Sequence, residues 1–166
     1  RSVYFYSYTI SKQSDYFKKH FSGDQWKAYE EITLKLLEAA LSEQEIIMLI
    51  ADHVTTPKDI QFEVNTKRNF NFKMQRLALA GVCRFDSKSN DLLQIVDLLI
   101  GAVTYDIKLA KGIVPGSKYK IALVDFFKEN LGANTLVPGF KNRGFNIFVD
   151  KTAHKITNCK LFDSGT

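Results

Sequence analysis

Three aspartates and one glutamine have the residue types and positions that could do chemistry in this sequence. Asp52 ends one short apolar run and Asp86 ends the next, while Gln94 and Asp97 lie about one helical turn apart in a long apolar stretch that follows. Polar residues just past strand ends are where α/β sheets usually build their sites, and clustered carboxylates suit Mg²⁺ or Mn²⁺. We therefore expect Asp52 and Asp97 to share a pocket and bind such a cation, with Asp86 as a further ligand. Gln94 would support Asp97 or contact a substrate.

Each aspartate also has a purely structural interpretation. Asp52 precedes His53 and a Thr-Thr-Pro sequence, and Asp86 precedes Ser-Lys-Ser, so both can cap turns. Asp97 is harder to explain in this way. An ionised carboxylate within a helix that is apolar all round is costly unless it is paired, hydrogen-bonded or bound to a metal. A buried lysine or backbone N–H groups could meet it instead of a metal.

Other kinds of site have less support. The sequence holds no GxGxxG or P-loop motif, no HExxH pair and no GxSxG elbow. Asp52 with His53 could form a metal-independent general acid–base pair, provided that His53 faced the pocket. The basic residues of one stretch can line a phosphate path or form a solvated helix face: Lys67, Arg68, Lys73, Arg76 and Arg84.

Length and composition indicate one ordinary globular domain over residues 1–166. Of these residues 45% are hydrophobic and 25% charged, and the formal net charge of +5 is compatible with a nucleic-acid partner without requiring one. The two cysteines have neither metal-site spacing nor disulfide density, which predicts a cytoplasmic protein, with Cys83 as a small buried hydrophobe. No run is long and apolar enough to predict a membrane span. The abrupt start at Arg1 indicates a fragment or a trimmed product.

The positioning elements alternate between strands and helices. Apolar periodicity predicts strands at 3–10, 46–51, 77–85 and 145–149, and helices at 25–41, 58–72, 92–110 and 118–131. Asp24 is predicted to begin the first of these helices and Gly132 to end the last. We expect strand 46–51 to be covered on both faces, helix 92–110 to be buried, and strand 145–149 to form a hairpin with 155–162. The pattern therefore indicates an α/β or α+β layered domain with helices on both faces of the sheet.

The order of these motifs resembles a known family. The relevant sequence is IAD at 50–52, DS at 86–87, Ser89, LQIVD at 93–97 and GA at 101–102. This is similar to the DUF3800 family, proteins of undefined function whose fold is similar to ribonuclease H and whose pattern is roughly S-x-x-x-LQ-x-A-D-x-x-x-GA. The resemblance covers about 3–110, with 145–149 as a looser match. Val96 departs from the alanine usual beside the aspartate.

The resemblance implies a ribonuclease H-like fold of the α/β class, a mixed sheet with helices on both faces, and a two-metal phosphodiester hydrolase. Asp52 and Asp97 would be metal ligands and Gln94 a positioning group, while the metals would activate water and stabilise the leaving oxygen. The family typically opens with a strand carrying D-E-S-G, whose aspartate would be another ligand, and this sequence has no such motif. We therefore expect the C-terminal portion of such a nuclease or a degenerate member. The alternative is a non-catalytic domain that binds nucleic acid or protein.

Overall fold

A computed structural model describes residues 3–53, 57 and 60–150, which hold five α-helices and five strands. In chain order the elements are β1 (Phe5–Thr9), α1 (Asp15–Phe21), α2 (Gln25–Ala40), β2 (Ile47–Asp52), α3 (Phe62–Met74), β3 (Leu79–Phe85), α4 (Asp91–Ala110), α5 (Lys118–Leu131), β4 (Phe140–Lys141) and β5 (Phe145–Val149). Both parallel and antiparallel strand pairs occur, so the predicted α/β class is confirmed. The described chain forms two compact units, which are 3–11 with 92–150 (unit 1) and 12–91 (unit 2).

Unit 2 is built on a parallel pair of strands, β2 and β3, joined through α3. Its core contains Leu37 from α2, Phe70 from α3 and Leu79 from β3. Helices cover only one face of this pair, because Met48 and Ile50 are exposed on the other. The prediction that this strand is covered on both faces is therefore wrong within unit 2. Cys83, predicted to be buried, pairs with Ile50 on the same open face and is exposed.

Unit 1 contains a three-stranded sheet in the order β1-β5-β4. β5 pairs in parallel with β1, Phe5 opposite Phe145, and antiparallel with β4. Its core joins Phe5 and Ile147 of the sheet to Val103 and Ile107 of α4. The predicted hairpin between β5 and 155–162 falls on residues outside the described part of the chain.

Helix α4 is buried only in its second half, so the prediction of a helix buried along its whole length is wrong. Ala102, Val103 and Ile107 are buried, whereas Leu92 and Ile95 are exposed. Element lengths explain the difference within unit 1. A 20-residue helix is about 30 Å long, whereas the five-residue strands beside it reach only about 17 Å. The unit 1 sheet is too short to cover the first turns of α4.

Two helix ends lie where their capping residues predict them. Asp24 is the N-cap of α2 and accepts hydrogen bonds from the backbone N–H groups of Trp26 and Lys27 at 2.8 and 3.2 Å. Gly132, with φ of 64°, ends α5 in the left-handed region that favours glycine. Within the described ranges no helix combines the length and the apolar composition that crossing a bilayer requires.

Candidate functional site

Asp52 lies at the carboxyl end of β2, the edge at which a parallel sheet usually presents its functional groups. One carboxylate oxygen, Oδ1, accepts hydrogen bonds from the backbone N–H groups of His53 at 2.8 Å and Ser87 at 3.1 Å. These bonds fix the carboxylate against the loop that follows β3. Oδ2 accepts no hydrogen bond from any described residue, so one oxygen of a half-buried, oriented carboxylate is available to a ligand.

The residues next to Asp52 have structural roles in this geometry. Asp86 caps the short 3₁₀ turn at Ser87–Ser89, and its Oδ1 accepts from the backbone N–H of Lys88 at 3.0 Å. The structural interpretation of Asp86 as a turn cap is thus confirmed, although its other oxygen accepts no described hydrogen bond. The hydrogen bond between Asp52 and His53 uses the backbone N–H of His53, so it does not form the expected acid–base pair through the imidazole.

A second cluster lies on the helix-covered side of β3 in unit 2. The Arg84 guanidinium stacks over the Phe62 ring with 5.6 Å to the centroid and forms an ion pair with Glu63. Tyr29 packs against Phe62 from α2, with ring centroids 4.9 Å apart. Burial raises the pKa of the Tyr29 phenol, the nearby Arg84 lowers it, and the charge of Asp52 raises it further, with a net increase. The pKa of Tyr29 therefore depends in part on the charge of Asp52.

Sequence reasoning placed neither Tyr29 nor Arg84 near Asp52. The sequence places Arg84 with basic residues that can line a phosphate path or form a solvated helix face, and it assigns no role to Tyr29. The available signal was strand alternation. Arg84 alternates with exposed Cys83 and Phe85, so it must point to the face that the helices cover. An arginine side chain that is only 14% exposed requires a partner, and Glu63 supplies it.

Asp97 and Gln94 belong to unit 1 and lie on the exposed first half of α4. The carboxylate of Asp97 has no hydrogen bond or ion pair to a described residue. The expected cost of burying this charge therefore does not arise within unit 1, because Asp97 is exposed. Among the described residues, neither a lysine nor a backbone N–H group contacts this carboxylate, so no described contact would have to break for Asp97 to act as a ligand.

The buried acid of α4 is Asp106, which the sequence interpretation did not select. It is 6% exposed, and its Oδ2 accepts a hydrogen bond from the backbone N–H of Leu136 at 2.9 Å. Lys128 of α5 approaches its Oδ1 at 3.6 Å. The pKa of Lys128 is raised, chiefly by its hydrogen bond with Asp125 and also by Asp106, against the lowering effect of burial. Asp106 therefore joins three parts of unit 1 and is already satisfied.

The donor chemistry of Asp52 and Asp97 fits a hard divalent cation, because both present unused carboxylate oxygens. The described residues include no group of three or more His, Cys, Asp or Glu side chains arranged to hold a metal ion. Asp52 and Asp86 lie in unit 2, and Gln94 and Asp97 in unit 1. The expectation that Asp52 and Asp97 share a pocket stays a prediction.

No protein-family model, curated protein or solved structure matches the chain. The resemblance to DUF3800 is therefore neither supported nor contradicted by other proteins and stays a prediction from the motifs. The fold described above and the contacts of Asp52 rest on this chain alone.

Proposed function

We propose that this chain is part of a ribonuclease H-like, divalent-metal-dependent nuclease, with Asp52 and Asp97 as metal ligands and Gln94 as a positioning group. The observation that carries the proposal is the carboxylate of Asp52, held at the carboxyl end of a parallel strand by two backbone N–H groups, with an Oδ2 that accepts no hydrogen bond from a described residue. The order of the motifs around Asp97 supports the same proposal.

In this function the chain's own residues bind the cation and orient its carboxylate ligands. The two backbone N–H groups hold Asp52 in one orientation, so a cation binding to Oδ2 would meet a ligand that is already ordered. Mg²⁺ or Mn²⁺, when bound, would supply the Lewis acidity that phosphodiester hydrolysis requires. Gln94, one turn before Asp97, would contact the substrate or orient the carboxylate. The net charge of +5 favours a polyanionic substrate.

The test is a calorimetric Mn²⁺ titration of the full-length protein, including any residues encoded before Arg1. The variants are Asp52→Asn and Asp97→Asn, which remove charge and keep shape. The control is Asp125→Asn, an exposed aspartate of α5 that pairs with Lys128. We expect stoichiometric binding by the wild type and the control, and loss of about tenfold or more in affinity in each of the other variants, the scale at which a lost metal contact is felt. The wild type and the control should also cleave a labelled oligonucleotide, whereas Asp52→Asn and Asp97→Asn should cleave it more slowly.

Retention of Mn²⁺ affinity by Asp97→Asn would remove Asp97 from the site, and absence of binding by the wild type would reject the metal-dependent nuclease. The second candidate function is a non-catalytic domain that binds nucleic acid or protein with a degenerate site. It is favoured by the lack of a group of three metal-ligating side chains among the described residues. It predicts that Mn²⁺ leaves the thermal unfolding midpoint unchanged while nucleic acid or a protein partner raises it.

A further inference from the structure

A surface groove in unit 1 combines aromatic, amide and cationic side chains, well away in sequence from Asp52 and Asp97. It has a volume of about 420 Å³ and lies between the C-terminal part of α5 and the turn that joins β4 to β5. Its lining residues are Phe126, Phe127, Asn130, Leu131, Asn142, Arg143, Gly144 and Phe145. Sites for small organic groups usually have volumes of roughly 300 to 1,000 Å³, so the groove can accept a nucleobase and its sugar.

The aromatic side of the groove is built by α5. Phe126 is 60% exposed, an unusual degree for a phenylalanine, and stands edge-on to Phe127 with ring centroids 6.2 Å apart. Asn130, one turn later, donates from Nδ2 to the Phe126 carbonyl at 2.8 Å. Its amide oxygen accepts no hydrogen bond from a described residue and remains available at the groove. An open aromatic face beside a free amide oxygen suits a planar, hydrogen-bonding ligand.

The cationic side is held in place by the β4–β5 turn. Asn142 Oδ1 accepts hydrogen bonds from the backbone N–H groups of Gly144 at 2.8 Å and Phe145 at 2.6 Å. These bonds rigidify the turn and present Arg143 at its exposed tip. No described acid pairs with the Arg143 guanidinium. A guanidinium with no described acid partner, carried on a rigid turn, can recognise phosphate or carboxylate. Phosphate fits the rest of the groove, because nucleic acid carries phosphates beside planar, hydrogen-bonding bases.

We propose that this groove binds single-stranded nucleic acid, with a base stacked on Phe126, its edge at Asn130 and the adjoining phosphate at Arg143. Aromatic stacking combined with a cation along the backbone is how proteins hold single strands without strong sequence preference. The proposal extends the proposed nuclease by naming the form of its substrate, but binding at the groove does not depend on hydrolysis. The two can therefore fail separately.

The test is fluorescence anisotropy of a labelled oligothymidylate of about 12 nucleotides with the full chain, in EDTA and at several salt concentrations. We expect Phe126→Leu, which keeps an apolar side chain but removes the ring, to weaken binding about fivefold or more. Arg143→Gln should lower the slope of log affinity against log salt by about 0.7, the value of one phosphate contact on a single strand. The controls are Phe72→Leu on α3 and Lys19→Gln on α1, exposed residues outside the groove, and they should bind as the wild type does.

Four outcomes would overturn the proposal. The first is no oligonucleotide binding by the wild type, and the second is losses as large in the two controls as in the groove variants. The third is binding of thymidine monophosphate as tightly as the strand, which would assign the groove to a free nucleotide. An acidic aromatic peptide that binds through Phe126 and Arg143 while the strand does not would assign it to a protein partner and likewise reject the proposal. Because EDTA removes divalent cations, none of these results depends on the metal ligands.

Discussion

At the scale of single residues, the buried aspartate of α4 is Asp106 and not Asp97, the one whose burial the sequence predicts. Asp97 lies within the most apolar part of the helix and is exposed, whereas Asp106 lies nearer the helix end and is buried. The difference arises because the sheet of unit 1 packs against the later turns of α4 and does not reach the first turns. Asp106 is satisfied by Leu136 and Lys128, so its role is structural, while Asp97 remains available.

We predict that Asp106→Ala destabilises the protein by about 2 kcal/mol, because it leaves the buried N–H of Leu136 without an acceptor. Urea denaturation at pH 7, where Lys128 is charged, measures the change. The control is Asp125→Ala, which removes the exposed partner of the same lysine and should cost less than about 0.5 kcal/mol. If both substitutions lower the free energy of unfolding equally, Asp106 stabilises the protein through its pairing with Lys128 and not through its hydrogen bond with Leu136.

At the scale of elements, local signals predicted the helices well. The helix predicted at 25–41 is α2, Gln25–Ala40, and the one predicted at 118–131 is α5, Lys118–Leu131. Both are set by side-chain periodicity together with a capping residue, and these act within a few residues of chain. Helix α3 begins later than predicted, at Phe62, and ends at Met74. The residue after its end, Gln75, has a left-handed conformation, which glycine or asparagine usually adopts, so the sequence carries no clear signal for this helix end.

Strand pairing and the candidate site depended on contacts that the sequence does not encode locally. The position of Asp52 at a strand end was predictable, because an apolar run stops there. Its bond with the N–H of Ser87 was not, since that bond requires β2 and β3 to lie in parallel register. The burial of strand 46–51 was predicted wrongly for the same reason. A continuous apolar run indicates only that both faces are apolar, and not that the described elements cover both.

Asn71 links α3 to β3 through both ends of its side-chain amide. Its Oδ1 accepts from the backbone N–H groups of Ala78 at 2.8 Å and Leu79 at 2.7 Å, and its Nδ2 donates to the Leu79 carbonyl at 3.0 Å. We predict that Asn71→Ala destabilises the protein by about 2 kcal/mol, because two backbone donors near the core lose their acceptor. Chemical denaturation measures this loss of stability, and the control is Asn65→Ala. The Asn65 side chain accepts a long hydrogen bond of 3.4 Å from Arg68. The control should change stability by less than about 0.5 kcal/mol, and a similar loss in both variants would contradict the role of Asn71.

At the scale of the whole molecule, the chain order of the units is nested. Unit 1 takes its first strand from one end of the described chain and its other elements from 92–150, while unit 2 occupies the residues between them. The core of unit 1 therefore depends on Phe5, which packs with Val103, Ile107 and Ile147. Unit 2 takes its core from residues that are continuous in sequence.

We predict that Phe5→Ala destabilises unit 1 by about 3 kcal/mol, the usual cost of removing a buried aromatic ring. Hydrogen exchange of the β5 amides is the suitable measurement, since it reports the opening of this unit whether or not the rest of the chain opens with it. Phe72→Ala removes a ring that is 77% exposed and should leave β5 protection unchanged. Full β5 protection in Phe5→Ala would mean that β1 is dispensable to the sheet.

The pairing of β1 with β5 has a consequence during synthesis on the ribosome. Phe5 is made long before Phe145, its partner in the parallel ladder, and the whole of unit 2 is translated in between. At roughly 5 to 20 residues per second, β1 waits on the order of ten seconds for the strand that completes it. During that time its aromatic edge is open to pairing with other chains. The nascent chain is thus most vulnerable to aggregation before β5 emerges. Slower translation should lower the yield of folded protein, and a chaperone that covers β1 should raise it.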